Sequence, residues 1–337
     1  MTLSIASKKS PLKTLALLGL SCTLVAGALT STASAQEWKP SKPVEFIAPA
    51  NPGGGWDTLV RTSANVISQE GLSDQNFAAI NIPGGGGAVA WAQVARDNRN
   101  DHKLFATSPP IILVPLAGTS RFNHNDFQPI ARLSTDYAIV LVRADSPYQT
   151  VTELFDAIKA NQRLSVGGGS AAGSMDHIAI AGAAGEYGVN PGSVNYIAFS
   201  GGGEAMTTLL GGHVEAVISG AGEAVGLLEG GQLRALAVSS EERIPGSLSS
   251  VPTFKEQGVD YTFDIWRGVM GPKDMPEAAV RYYEDLFERM METDSWKDAV
   301  ARLGWLDAHQ NSEDFGRFLD GQLEQFSSVL SDMGMLR

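Results

Sequence analysis

A unit made of a short apolar strand, a glycine-rich loop and a helix start occurs four times in this chain. In the first copy an apolar run, Val44 to Ala48, is followed by Pro52-Gly53-Gly54-Gly55 and by helical spacing from Trp56. The other three copies occupy residues 78–94, 164–184 and 194–210. Strands that alternate with helices are typical of a parallel sheet flanked by helices, so the unit predicts an α/β fold.

The distribution of the four units predicts two similar lobes. Two units precede Val142 and two follow it. We expect the first lobe to contain residues 43–142 and the returning chain 243–337, which includes the C-terminal helices. The second lobe is expected to contain residues 143–242, with hinges near 142–146 and 239–242. Ligands of such sheets bind beyond the carboxyl ends of the strands, so all four loops would face one cleft.

The loops favour an anionic ligand. Glycine-rich turns leave successive backbone N–H groups free, and a helix start adds about half a positive charge. Together they suit a phosphate or a carboxylate.

The N-terminus has the three parts of a secretory signal peptide. Lys8, Lys9 and Lys13 precede the apolar stretch 15–29, and Ala33-Ser34-Ala35 provides a site for cleavage after Ala35. The apolar stretch is short and interrupted, which argues against a membrane anchor. We therefore expect residues 1–35 to be a signal peptide and the protein to be exported to the periplasm.

Charge and cysteine content exclude several functions. Removing residues 1–35, with three lysines and no acid, takes the net charge from −12 to −15, and the only cysteine, Cys22, leaves with them. No basic stripe suggests nucleic-acid binding. A thiol nucleophile, a disulfide and a cysteine metal ligand are all excluded from the cleaved chain. The overall charge repels anions at long range, so an anion site must depend on local donors.

Three enzymatic or cofactor interpretations are weaker. The chain has no Gly-Lys pair of a phosphate-binding loop, and Gly85-x-Gly87-x-x-Ala90 is only a loose dinucleotide fingerprint. Gly168-x-Ser170-x-Ala172 resembles a nucleophile elbow without its last glycine, and no histidine stands in a recognisable triad context. The five histidines are scattered without metal-ligand spacing. We therefore expect no catalytic residues, no metal and no cofactor.

Asp57 has two interpretations that the sequence leaves open. Its position near a helix start favours an N-cap. Its place after three glycines would equally allow the carboxylate to face a ligand.

Several of these segments resemble a known family. Pro52-Gly53-Gly54-Gly55-Trp56-Asp57 and Asn81-Ile82-Pro83-Gly84-Gly85-Gly86-Gly87 look like its two signature loops. Later blocks are similar in the same order, including residues 196–203, 209–215 and 251–254 and Trp266-Arg267-Gly268. The family is the periplasmic solute receptors of tripartite tricarboxylate transporters, the TctC-like or Bug-type proteins.

The resemblance implies a two-lobed flytrap receptor of the type II-like α/β class. In the family the first two loops hold a ligand carboxylate, and the second lobe supplies small polar side chains. The implied ligand is a di- or tricarboxylate such as citrate, and the implied partner is a transporter with a large and a small integral-membrane subunit. The alternatives are an exported serine hydrolase using Ser170 and a receptor for an amino acid or aromatic acid. The expected ligand-binding residues are Pro52, Gly53, Gly54, Gly55, Trp56, Asp57, Pro83, Gly84, Gly85, Gly86, Gly87, Ala88, Ser108, Ser170, Ser174, Phe199, Ser200, Gly201 and Ser219.

Overall fold

A computed structural model describes residues 38–161, 163–332 and 336 of this protein. The signal peptide and its cleavage after Ala35 lie outside the described residues. Within them, no helix combines the length and apolar character needed to cross a bilayer.

Ten strands in the described residues form one continuous sheet. The order along its main path is β2-β1-β3-β9-β4-β7-β5-β6, and β8 and β10 also pair with β4. The strands are β1 (Val44–Ala48), β2 (Phe77–Asn81), β3 (Lys103–Thr107), β4 (Phe127–Arg143), β5 (Ser165–Gly168), β6 (Asn195–Ala198), β7 (Ala216–Gly220), β8 (Leu233–Val238), β9 (Asp264–Pro272) and β10 (Leu306–Gln310).

Helices connect these strands, and most of them follow a strand directly. The α-helices of the described chain are α1 (Gly55–Gln69), α2 (Ala88–Arg96), α3 (Pro110–Leu116), α4 (Val151–Ala160), α5 (Met175–Glu186), α6 (Gly202–Leu210), α7 (Ala221–Glu229), α8 (Glu277–Glu292), α9 (Asp294–Leu303) and α10 (Ser312–Asp332). Short 3-10 turns occupy residues 85–87, 124–126, 191–193, 246–248 and 255–257.

The expected α/β class is confirmed, and the parallel pairing lies where the repeated units are. β1 pairs in parallel with β2 and β3, and β5 pairs in parallel with β6 and β7. The long strands between these groups are antiparallel to their neighbours: β9 to β3, and β4 to β7, β8, β9 and β10. The parallel order predicted from the repeats therefore describes the outer strands, while β4 and β9 give the centre a mixed pattern.

The strand β4 changes its partners midway along its 17 residues. Tyr137 pairs with Asp264 of β9, whereas the next residue, Ala138, pairs with Gly220 of β7. We call β1, β2, β3, β9, β10 and β4 up to Tyr137 the first half of the sheet, and the remainder the second half.

Ser239 ties the crossing segments together between the two halves. Its buried hydroxyl accepts a hydrogen bond from the Ala138 amide at 2.9 Å and donates to the Phe263 carbonyl at 2.5 Å. On this pairing we propose that the lobes meet at 137/138 and near 263/264. The boundaries expected from the sequence, after residues 142 and 242, stay predictions.

Local sequence accounts for most helices. Helix α4, for example, begins after Thr150, which forms a capping box with Glu153. The C-terminal region, expected to contain helices, also contains the strand β10. Strand β10 has little apolar content, and its pairing with β4 rather than its own pattern makes it a strand.

Candidate ligand-binding cleft

A cleft lies beyond the carboxyl ends of six strands. It contains about 500 Å³ of space, including part of its open mouth. Its walls are formed by the residues that directly follow β1, β2, β3, β5 and β6, together with the end of β7. The structure therefore brings the four glycine-rich loops to one site, as the repeated units predicted.

About half of the residues expected to bind ligand line this cleft. They come from both halves of the sheet. They are Gly55, Trp56, Gly84, Gly86, Ser108, Ser170, Phe199, Ser200, Gly201 and Ser219.

The other expected residues are not part of the cleft wall. They belong to the same loops and helix starts and support the conformation of these segments. They are Pro52, Gly53, Gly54, Asp57, Pro83, Gly85, Gly87, Ala88 and Ser174.

The first turns of four helices contribute residues to the cleft wall. Gly55 and Trp56 begin α1, Met175 begins α5 and Gly202 begins α6. Glu223, in the first turn of α7, also lines the cleft. Each helix start carries a partial positive charge, so four of them favour a negatively charged group between them.

Several backbone N–H groups at these positions have no acceptor. Across the described residues, the amides of Gly55 and Trp56 make no hydrogen bond, and the same holds for Gly84, Gly85 and Gly86. The last three adopt positive φ angles of 125°, 60° and 64°, which residues with a Cβ rarely adopt. The loop after β2 thus supplies free donors that a non-glycine sequence would not present in this conformation.

Trp56 and Ser108 form one wall. The indole Nε1 donates a hydrogen bond to the Ser108 hydroxyl at 2.9 Å, and the indole packs edge-on against Trp91. Trp56 is buried, and its ring is fixed at both edges. The predicted place of Trp56 in the cleft agrees with this geometry.

Asp57 supports the first loop from behind. Its carboxylate accepts hydrogen bonds from the Gly53 amide at 2.9 Å, from Arg61 at 2.8 Å and from Asn81 at 2.8 Å. Burial alone would raise the pKa of Asp57, but these donors outweigh it and lower the pKa. The N-cap of α1 is Gly54, so Asp57 lies in the first turn and acts on the loop rather than as the cap residue.

The loops of the two halves touch each other beside the cleft. The Asn51 amide donates to the Ser200 carbonyl at 2.8 Å, and the Asn51 side chain donates to Glu204 at 2.9 Å. Glu204 also accepts from the Ser200 amide at 3.0 Å, so its carboxylate is held in the loop and does not line the cleft. The structure is therefore one in which the first and fourth loops are closed on each other.

A group of buried charged residues at the cleft was missed by the sequence analysis. Arg267 of β9 pairs with Asp136 of β4, and its Nη2 lies 3.7 Å from Glu223 of α7. Asp176 of α5 lines the same cleft. All four side chains are almost fully buried. The signal available in the sequence was Arg267, a single cation among the apolar residues of β9.

The two acids at the cleft wall have raised pKa values. Burial raises the pKa of Asp176 to about 7, against the opposing effects of the Ser170 hydroxyl and of Arg267. Burial likewise raises the pKa of Glu223 to about 8, with Arg267 opposing and Asp176 and Asp136 adding to the rise. Both groups therefore exist partly as neutral acids near pH 7.

Ser170 lacks the surroundings of a catalytic nucleophile. Its hydroxyl accepts a hydrogen bond from the Asp176 amide at 3.0 Å and lies 3.4 Å from the Tyr196 hydroxyl. The imidazole of His177 instead accepts from the Gly173 amide at 3.0 Å and stacks on Tyr196. In the described part of the chain no histidine is hydrogen-bonded to Ser170.

Metal binding has no structural support in the same residues. Throughout the ranges described, no three histidine, cysteine or acidic side chains come together in a way that could hold a metal ion. His124 faces Asp320 and His102 faces Asp101, each as a single pair.

The fold and the cleft are those of an α/β solute-binding protein. The model of the tripartite tricarboxylate transporter family receptor, TctC, matches residues 64–335. The chain belongs to this family, and the resemblance noted in the sequence is confirmed.

Solved structures agree with this assignment. A TctC solute-binding protein from Polaromonas is 33% identical, with a TM-score of 0.60 over 87% of this chain and 99% of that one. MatC from Rhodopseudomonas palustris, with bound malate, is 22% identical with a TM-score of 0.75 over 86% and 99%. The R. palustris protein Rpa4515, with adipate, is 23% identical with a TM-score of 0.79 over 88% and 98%. The last two show the shared fold.

Proposed function

We propose that this protein is a periplasmic receptor that captures a small carboxylate in the cleft between the two halves of the sheet. The observation that carries the proposal is the convergence of four helix N-termini and free loop amides on one buried site. These donors bind a carboxylate without needing a cationic side chain. The proposal treats binding as the whole function, with no catalysis and no cofactor.

The cleft wall favours a small ligand with a short carbon chain. Trp56, Met175 and Phe199 supply apolar surface, while Ser108, Ser200 and Ser219 supply hydroxyl groups. A few polar groups placed among apolar side chains are typical of sites for small molecules. Malate and adipate, bound by two structural neighbours, are aliphatic dicarboxylates of this kind. We take di- and tricarboxylates, including citrate, as the ligand class.

The residues proposed to contact the ligand are those expected from the sequence that also line the cleft. Gly55 and Trp56 of the first loop and Gly84 and Gly86 of the second would hold one carboxylate. Ser170 and the loop 199–201 would contact the rest of the ligand. The remaining expected residues, with Asp57 among them, would keep the loops in shape.

The family membership supports delivery to a membrane transporter. We propose a large and a small integral-membrane subunit as the partners, and the periplasm as the compartment. The signal-peptide pattern of residues 1–35 supports the same location.

A thermal-shift screen over organic acids tests the proposal. The panel contains succinate, malate, adipate, tricarballylate and citrate, with benzoate, aspartate and glutamate for the alternative ligand classes. A ligand at about a hundred times its dissociation constant adds about 2.7 kcal/mol of stability, which is a readily measured shift of the melting midpoint. We expect at least one di- or tricarboxylate to produce it, and calorimetry then gives its affinity. A panel without any shift contradicts the proposal, and a shift with aspartate, glutamate or benzoate alone favours the alternative receptor.

The hydrolase alternative is tested on the same protein. Ser170→Ala should weaken binding modestly. Hydrolysis of an ester or amide by the wild-type protein that is lost in this variant would contradict a purely binding role.

A further inference from the structure

The buried charges at the cleft do not balance. Three acids, Asp136, Asp176 and Glu223, surround the single cation Arg267. Arg267 is already paired with Asp136, so its single positive charge cannot also neutralise the carboxyl groups of Asp176 and Glu223. If both were ionised, they would repel the carboxylate that the proposed function places in the cleft.

Both of these carboxyl groups have unused hydrogen-bonding atoms. Asp176 is 1% exposed, and neither of its carboxyl oxygens has a hydrogen-bond partner among the residues described. The Ser170 hydroxyl and the backbone N–H groups of Gly169 and Ser170 lie close enough to favour the charged form of Asp176, but none of them meets the geometry of a hydrogen bond to it. Oε2 of Glu223 likewise has no partner within the described ranges. Both residues line the cleft.

Four strands packed around the two acids contribute polar or charged groups to this setting. β4 presents Asp136 and β9 presents Arg267, whose guanidinium lies 5.1 Å from the centre of the Trp305 ring. β6 presents the Tyr196 hydroxyl, which donates to the Ser170 carbonyl at 2.7 Å. Ser219 of β7 lies beside Glu223. Arg267 is therefore the only cation facing Asp176 or Glu223 from the described elements.

We propose that Asp176 and Glu223 bind the ligand carboxylate as neutral acids, each donating its O–H, so that ligand capture takes up protons from solution. This inference rests on the proposed function and adds how the far end of the ligand is recognised. An O–H donor to a carboxylate makes a short, charge-assisted hydrogen bond, whereas an ionised carboxyl group offers only acceptors. The unpartnered oxygens gain partners when the ligand arrives, which removes the cost of leaving them buried and unsatisfied.

The sign of the pH dependence follows from this arrangement. A bound anion favours the protonated acids, so affinity is greatest at low pH and falls as pH rises. The raised pKa values of Asp176, about 7, and Glu223, about 8, place the fall in an accessible range. From these two values affinity should drop about a hundredfold between about pH 6.5 and about pH 8.5. At about pH 7.5, binding should take up about one proton per ligand.

Isothermal titration calorimetry tests the inference directly. Malate, adipate and tricarballylate are titrated into the intact protein across the pH range, in pairs of buffers with different ionisation enthalpies. Carboxyl groups of these acids are mostly ionised above about pH 6.5, so protons counted there belong to the protein. We expect proton uptake with each acid that binds, together with the predicted fall of affinity.

The double variant Asp176→Asn, Glu223→Gln tests whether the two acids contact the ligand as neutral donors or as ionised acceptors. Each amide keeps the shape and an N–H donor but cannot ionise. We expect the double variant to bind more weakly than wild type at about pH 6.5, because an amide N–H is a weaker donor than an acid O–H, and its affinity to change less than about threefold up to about pH 8.5. Glu313→Gln on α10, where the acid is 81% exposed, is the control and should keep the full wild-type dependence. If the double variant does not fold by its melting curve, Glu223→Gln alone should lose part of the dependence.

Three results would overturn the inference, and two of them leave the proposed function intact. Wild-type binding that does not change with pH, or that releases protons, shows that ligand capture takes up no protons. A folded double variant that binds no acid at about pH 6.5 shows that ionised oxygens are required. Aspartate bound more tightly than malate, with affinity rising with pH, would instead assign the acids to an ammonium group and replace the carboxylate proposal by the amino-acid alternative.

Discussion

Replacing Arg267 tests how much the free energy of unfolding depends on its pairing with the buried acids. The guanidinium is 1% exposed, and Asp136, its partner, is fully buried. Replacing one member of a buried ion pair costs about 3–5 kcal/mol, because the other member remains charged and unpaired. We expect Arg267→Met to lower the free energy of unfolding of the ligand-free protein by about this amount near pH 8.

The loss in Arg267→Met should shrink as pH falls. Arg267 lowers the pKa values of Asp176 and Glu223 against the effect of burial. Without it these pKa values rise further, so the native state binds more protons than the unfolded state, and stability declines with increasing pH. Near pH 6 the acids are more fully neutral, and the difference from wild type should be smaller.

Urea denaturation at the two pH values measures this, with Arg281→Met as the control. Arg281 forms an exposed pair with Glu277 on one helix, with side chains 61% and 85% exposed, so its loss should cost under about 0.5 kcal/mol. A second substitution, Asp136→Asn, should recover part of the stability of Arg267→Met, since it removes the charge left unpaired. A cost under about 1 kcal/mol, or one equal at both pH values, would refute the reasoning.

Three further predictions concern the loops. Gly86→Ala places a Cβ 2.9 Å from the Cβ of Ala171 across the cleft, so it should weaken carboxylate binding at least about tenfold, as measured by calorimetry. The control is Gly71→Ala, which has a similar φ of 63° but no atom within 4 Å of the added Cβ, and it should leave affinity unchanged. Asn51→Ala removes a hydrogen bond between the closed loops and should raise the dissociation rate several-fold in stopped-flow fluorescence, while equal rates would show that the contact does not hold the cleft closed. Asp57→Asn should lower stability by about 1 kcal/mol at neutral pH. Because the folded pKa of Asp57 is lowered, this difference should vanish in urea melts as pH falls below that pKa, and a difference that persists there would contradict the assignment.

The loops of the site could be predicted because their signal is local. Glycine runs after apolar strands specify turns and helix starts within about ten residues, and the sheet then brings the four turns to one edge. Gly84 and Gly86 line the cleft for this reason. The sequence could not separate them from Gly85 and Gly87, because which amide faces a ligand depends on backbone angles that glycine leaves open.

The buried charges could not be predicted because their partners are distant in the sequence. Asp136 and Arg267 are separated by 131 positions, and each belongs to a strand whose partner is set by topology. The polar sequence Ser134-Thr135-Asp136 also conceals the length of β4, since it interrupts the apolar pattern of the strand. In the structure these residues are buried where β4 passes from one half of the sheet to the other.

The net charge of this protein and the charge of its proposed ligand have the same sign, and this has a consequence for kinetics. Without residues 1–35 the chain carries −15, so the long-range field opposes the approach of a carboxylate, and attraction comes from the helix starts, the amides and the neutral acids within the cleft. Added salt screens the repulsion over about 10 Å but reaches the enclosed donors much less. We therefore expect the association rate of a dicarboxylate to rise with ionic strength while the dissociation rate stays nearly constant. An association rate that falls with salt, measured by stopped-flow fluorescence, would mean that a positive local field extends beyond the cleft and that neutralised acids at its wall are not needed.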